Sequence, residues 1–209
     1  MDQLRGKANY FRICQLLIEK GGEALRHVLQ TKINISPPPS TLDSLLSAHK
    51  KSLQKIRFSV INAAQWGLLF PLSGSSDSNN FDITLLTILL RNICGVPSPA
   101  TGWNAMPAPS DTSVSAEIVR IKMFRNEAYA HVSSAQLDNT KFETLWREIS
   151  QPLINLGIRQ QDIDLLKLTA LSPEEESYIK KLKEWKELED KRLDVIEQEV
   201  VNLREEMVK

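Results

Sequence analysis

The sequence predicts an all-α fold: a helical bundle followed by one long C-terminal amphipathic or coiled-coil helix. Three observations predict it. Apolar residues recur at three- and four-residue spacing, the periodic segments open on capping residues and close on glycine or proline, and nothing along the chain calls for a β-sheet.

Taken in order, Phe11, Cys14, Leu17 and Ile18 predict a helix from about Ala8 to Lys20 that stops at Gly21-Gly22, with a second from Glu23 to Gln30. Pro37-Pro38-Pro39 ends that region, and Ser40 or Thr41 caps a helix reaching about Phe58 on the stripe Leu42, Leu45, Leu46, Leu53, Ile56. A short segment from Ile61 to Leu69 precedes an exposed polar loop, Ser73 to Asn80. Phe81 to Gly95 is apolar enough for a buried strand or a buried helix, and its ends decide for the helix. Asp82 is an N-cap, Phe81 and Leu86 suit a hydrophobic staple, Arg91 falls in the last turn and Gly95 at the stop. The proline-rich connection Val96 to Ser113 is long enough to act as a lid or wall. A helix follows from Asp111, Thr112 or Ser113 to about Ser134. Thr140 with Glu143 then has capping-box spacing for a helix through Phe142, Leu145, Trp146, Ile149, Leu153 and Leu156, ending at Gly157. Ser172-Pro173-Glu174-Glu175 opens the last and longest helix. Positions 179, 182, 186, 189, 193, 196, 200, 203 and 207 keep heptad spacing, and seven of the nine are apolar. Leu193 to Met207 reads as a coiled-coil or inter-protomer seam, while Trp185 and Leu188, off that seam, favour an amphipathic helix folded on the bundle.

The chain has 209 residues, with 26 basic and 26 acidic side chains. That neutrality excludes the overall positive field of a protein that coats duplexes by neutralising phosphates, so any RNA contact must be local. Residues 1–173 carry 18 basic and 14 acidic groups, and residues 174–209 carry 8 and 12, so a net of +4 stands against a net of −4. Two cysteines, Cys14 and Cys94, neither staple a small secreted scaffold nor ligate zinc unaided; they read as core packing in a reduced, cytoplasmic setting. No targeting segment is expected. The most apolar run, Ile83 to Leu90, is eight residues, against about 20 for a membrane span, so no membrane partner is expected. His27 and His49 lack companions at ligand spacing, and neither a metal nor a cofactor is expected. Lys50, Lys51, Lys55 and Arg57 form a basic face, either simply solvated or in contact with an RNA backbone.

One constellation carries candidate chemistry. Ile118, Ile121, Ala128 and Val132 form a core-facing stripe, and the position between them at offset seven is Arg125. A guanidinium there needs a partner or must line a cleft. His131 lies six residues on, about 9 Å along the axis and roughly 120° round. Asn126 adds an amide, Glu127 stands four residues before the imidazole, and Lys122 and Tyr129 offer a phosphate contact and a stacking surface. The alternative is that the arginine and histidine are ordinary structural residues.

The stretch Arg125-Asn126-Glu-Ala-Tyr-Ala-His131 resembles the arginine, polar residue, spaced histidine motif of HEPN domains. Gln65-Trp66-Gly-Leu-Leu-Phe-Pro71, Phe81 through Gly95, Pro99-Ala-Thr-Gly-Trp103, and Phe142 through Trp146 to Gly157 bring it closest to the branch found in the DAZ-interacting zinc-finger ubiquitin ligase (DZIP-like) type. The resemblance covers approximately residues 1–165 as an HEPN-like bundle and leaves 166–209 as linker and final helix. It implies a four-to-five-helix bundle, commonly dimeric. It also implies a metal-independent endoribonuclease chemistry on single-stranded RNA: a ribose 2′-OH attacks phosphorus, an imidazole moves protons and an arginine stabilises charge. Catalytic roles then fall to Arg125, His131 and Asn126, with Lys122, Tyr129 and Glu127 near the RNA. One histidine per chain implies a homodimer that joins two motifs. The Arg125-to-His131 spacing is one residue longer than in several active members. Some HEPN domains instead serve as non-catalytic dimerisation or adaptor modules, here of a larger signalling or innate-immunity-type protein whose further domains lie in a longer parent chain. The ligase relatives carry a zinc-binding RING, which two cysteines cannot build.

Overall fold

The computed structural model describes residues 2–38, 40–130 and 135–168 of the chain. Their elements are helical, with one isolated bridge, Arg57 to Ile61, and no strand ladder among the described residues. The all-α prediction therefore stands, while the long helix expected from Ser172 lies outside the described residues.

The first rod is longer than the sequence suggests. α1 (Asp2–Gln15) passes through a π-helical turn, Leu16–Gly21, straight into α2 (Gly22–Asn34). Gly21-Gly22 does not stop the helix, and Gly21 faces two neighbouring helices. A Cβ at Gly21 would meet Ile83 Cδ1 at 3.3 Å and Ile121 Cγ2 at 3.4 Å, so the missing side chain lets the rod lie close against these neighbours.

α3 (Leu42–Ala48) opens on the predicted Thr41, whose side chain accepts from Ser44 N while Ser44 Oγ caps Thr41 N. The single helix expected to Phe58 is instead kinked at His49, with α4 (Lys50–Lys55) beyond it. Backbone bonds bridge the kink, His49 N to Leu45 O and Leu53 N to His49 O, so one bent rod results. It ends three residues early because the chain folds back from Ile56 to Ile61. α5 (Ala63–Leu69) starts on a second capping box, Asn62 with Gln65.

α6 (Ile83–Asn92) follows the prediction closely. Asp82 Oδ1 accepts from Leu85 N at 2.6 Å, Phe81 is buried before it, and Gly95 adopts φ +63° after it. Ile83, Leu85, Leu86, Ile88, Leu89 and Leu90 are all buried, which places α6 at the centre between α2 and α7 (Val114–Ala130). α8 (Asn139–Asn155) packs along α7 and α1. Its cap is Asp138, accepting from Lys141 N at 2.9 Å, rather than the expected Thr140, which lies inside the first turn. Gly157 ends it at φ +99°. α9 (Gln160–Leu168) was not anticipated; Arg159 starts it through a two-point ion pair to Asp162. No helix among the described residues is long and apolar enough to cross a membrane.

Candidate functional site

α7 presents Ile118, Ile121, Phe124 and Ala128 to the core, and Arg125 with them at 1% exposure. It is the largest fully buried side chain among the described residues. A charge so placed must have its N–H groups met. Nη1 donates to Thr84 Oγ1 of α6 at 2.6 Å, and Nε and Nη2 both donate to Asn126 Oδ1, at 3.1 and 2.7 Å. The fork on one amide oxygen fixes the plane of the guanidinium and the orientation of Asn126 together. With Oδ1 turned to the arginine, the Nδ2 hydrogens of half-buried Asn126 face away from it.

The other candidates are placed as follows. Glu127 Oε1 receives Lys141 Nζ of α8 at 2.5 Å. Lys122 Nζ donates to Asn104 Oδ1 at 2.9 Å and lies 3.4 Å from Trp103 O, pinning the proline-rich segment to α7. Tyr129 lies in the last turn of α7, and His131 and Val132 lie outside the described residues. The structure thus joins Arg125 to Asn126, and sends Glu127 and Lys122 to neighbouring elements.

Thr84 was not singled out in the sequence. Its signal was there: a hydroxyl in an otherwise apolar run whose other threonine, Thr87, bonds back to Ile83 O within α6. A second buried cluster was also missed. Glu117, 2% exposed, accepts from Arg120 Nη1 at 2.7 Å and from Asn155 Nδ2 at 2.5 Å, while Arg120 Nη2 reaches Ala108 O at 2.6 Å. It ties the start of α7 to the end of α8 and to the proline-rich segment.

Both thiols are held protonated: burial pushes Cys14 up to about 12 and Cys94 up to about 11. Neither is a nucleophile at neutral pH. No group of three or more His, Cys, Asp or Glu side chains stands at metal-binding distance among the described residues.

The fold is thus an all-α bundle whose inner helix α7 carries a buried arginine paired with the next polar residue. The chain belongs to the DZIP3/hRUL138-like HEPN family, whose model matches residues 39–179. It is 30% identical over 165 residues to the human E3 ubiquitin-protein ligase DZIP3 and 28% identical to the mouse protein. Each alignment covers 76% of this chain but only 13% of the relative, so the chain spans a small part of those proteins. No solved structure matches.

Proposed function

We propose that this HEPN module is RNA-directed and acts as a metal-independent endoribonuclease on unpaired strands, with two motifs meeting across a homodimer. The observation that carries this reading is the fixed Arg125–Asn126 pair. A guanidinium at 1% exposure does not itself reach a solvated phosphate, so Arg125 is a positioning residue. Asn126, oriented by it, offers Nδ2 as a donor to a non-bridging oxygen. His131 of one protomer takes the proton from the ribose 2′-OH as it attacks phosphorus. His131 of the second gives a proton to the departing 5′-oxygen, leaving a 2′,3′-cyclic phosphate and a 5′-hydroxyl. Unpaired RNA fits because the attacking hydroxyl must swing in line with the leaving oxygen. Leu193 to Met207 would supply a seam for the pairing.

A second reading has its own support. Complete burial of Arg125 with Thr84 as a partner is what a structural lock in a non-catalytic dimerisation or adaptor module would need. Incubation of the purified chain with end-labelled single-stranded RNA in EDTA separates the two. Cyclic-phosphate products that vanish with His131→Ala and fall at least tenfold with Asn126→Ala support cleavage. Intact RNA at concentrations where the chain is dimeric, or undiminished cutting by His131→Ala, assigns the adaptor role instead.

A further inference from the structure

Away from Arg125, the segment between Asp43 and Asp77 contains 33 residues with three lysines, one arginine and His49, and no carboxylate. The structure arranges part of it as a ladder of stacked cations and rings. Lys50 Nζ lies 4.7 Å from the centre of the Phe70 ring. Phe70 lies 4.6 Å from Trp66. Arg57 Cζ then sits between Trp66, at 4.7 Å, and Phe58, at 4.9 Å. Arg57 Nε is buried without a hydrogen-bond partner, so the rings themselves hold the guanidinium.

The ladder ends at Phe58, which is 79% exposed. It also stands at φ +79°, a conformation that costs a bulky residue energy and that glycine adopts freely. The backbone enforces it: Val60 N and Ile61 N both bond to Ile56 O, and Phe58 N bonds to Ile61 O at 3.0 Å. Apart from its contact with Arg57, the Phe58 ring is given to water at the cost of a strained backbone, and such strain clusters at binding sites. Arg57 covers one face of the ring and the other is open. Exposed Lys51 and Lys55, four apart on α4, make no ion pair among the described residues.

We infer that α4, α5 and the turn between them form a binding platform for an unpaired RNA strand, in which a nucleobase stacks on the open face of Phe58 and Lys51 and Lys55 hold the adjoining phosphates. Ring plus point charges is the chemistry that takes single strands without reading their sequence. This inference rests on the RNA-directed reading above, and gives it a second contact surface.

The test uses the full chain and a fluorescent oligouridylate of about 12 nucleotides, with 2′-O-methyl riboses so that it cannot be cut. Phe58→Ala should weaken binding by about 5- to 150-fold, and Phe58→Tyr should retain it. Phe58→Gly should bind as poorly as Phe58→Ala while melting no lower than the parent chain, because glycine relieves the positive φ. Replacing Lys51 and Lys55 by alanine should flatten the salt dependence by roughly 0.7 in log–log slope per lysine. Unchanged affinity in Phe58→Ala and Phe58→Gly overturns the platform and leaves the nuclease reading to the cleavage assay. Equal affinity for an oligoglutamate gives the patch to acidic protein and overturns the RNA assignment. Binding that depends on Phe58 in a chain that never cuts RNA overturns the nuclease reading alone.

Discussion

Truncating Arg125 would remove the donors to Thr84 Oγ1 and Asn126 Oδ1 and leave a void among apolar neighbours on the inner side of α7. Arg125→Ala is therefore expected to destabilise the chain by about 3–5 kcal/mol, read as a lowered urea midpoint. Arg125→Lys should not restore it, since one ammonium cannot span both Thr84 and the forked contact on Asn126. A full rescue by lysine would mean that the charge alone matters, against the positioning role. The same reasoning makes His131, not Arg125, the informative residue for activity, because loss of activity in Arg125→Ala would follow from unfolding. At this scale the sequence was partly legible. An arginine interrupting the stripe Ile118, Ile121, Ala128 announces a burdened position, but spacing along one helix cannot name Thr84, which comes from a helix 41 residues earlier. Nor can it show that Lys122 and Glu127 are taken up by Asn104 and Lys141. Those are tertiary pairings, set by how α7 meets its neighbours.

Helix ends were more legible than helix interiors. Thr41 and Asp82, both read as caps, accept from a backbone N–H three residues on, a purely local interaction; Asn62, which was not singled out, and Asp138, two residues before the expected Thr140, do the same. Glycines were harder to read, since their meaning depends on what lies opposite. Gly21 lies inside a continuous rod facing Ile83 and Ile121, whereas Gly157 ends α8 as its pattern suggests. Gly157 also leaves room for His27, whose Nδ1 is 3.1 Å from Leu156 O; a Cβ there would lie 2.6 Å from the same nitrogen. Gly157→Ala should therefore cost about 1–3 kcal/mol, from the positive φ and the displaced ring together. Gly67 in α5 has nothing within 4 Å of an added Cβ, and Gly67→Ala should stabilise by about 0.5–1 kcal/mol. Thermal melts of the two variants should move in opposite directions. A shift of the same sign in both would refute the packing argument. α9 escaped notice because it is short, only Ile163 and Leu166 of its apolar residues are buried, and its start depends on the Arg159–Asp162 pair.

At the scale of the molecule, zero net charge conceals a basic bundle and an acidic C-terminal stretch, and within the bundle the cations are unevenly used. Arg120 and Lys122 hold the proline-rich segment and Arg125 holds Asn126. Lys51 and Lys55 make no ion pair among the described residues. RNA affinity should accordingly rest on a few phosphate contacts and on stacking, with no preference for the duplex. The most direct measurement is the affinity of the full chain for one oligoribonucleotide, single-stranded and paired with its complement, over a range of salt concentrations. The account predicts binding to the single strand only, with a log–log salt slope of magnitude about 1–3, the range expected for two to four phosphates at roughly 0.7 each. No binding to the single strand, equal binding to the duplex, or a slope of magnitude above about 5 would contradict it.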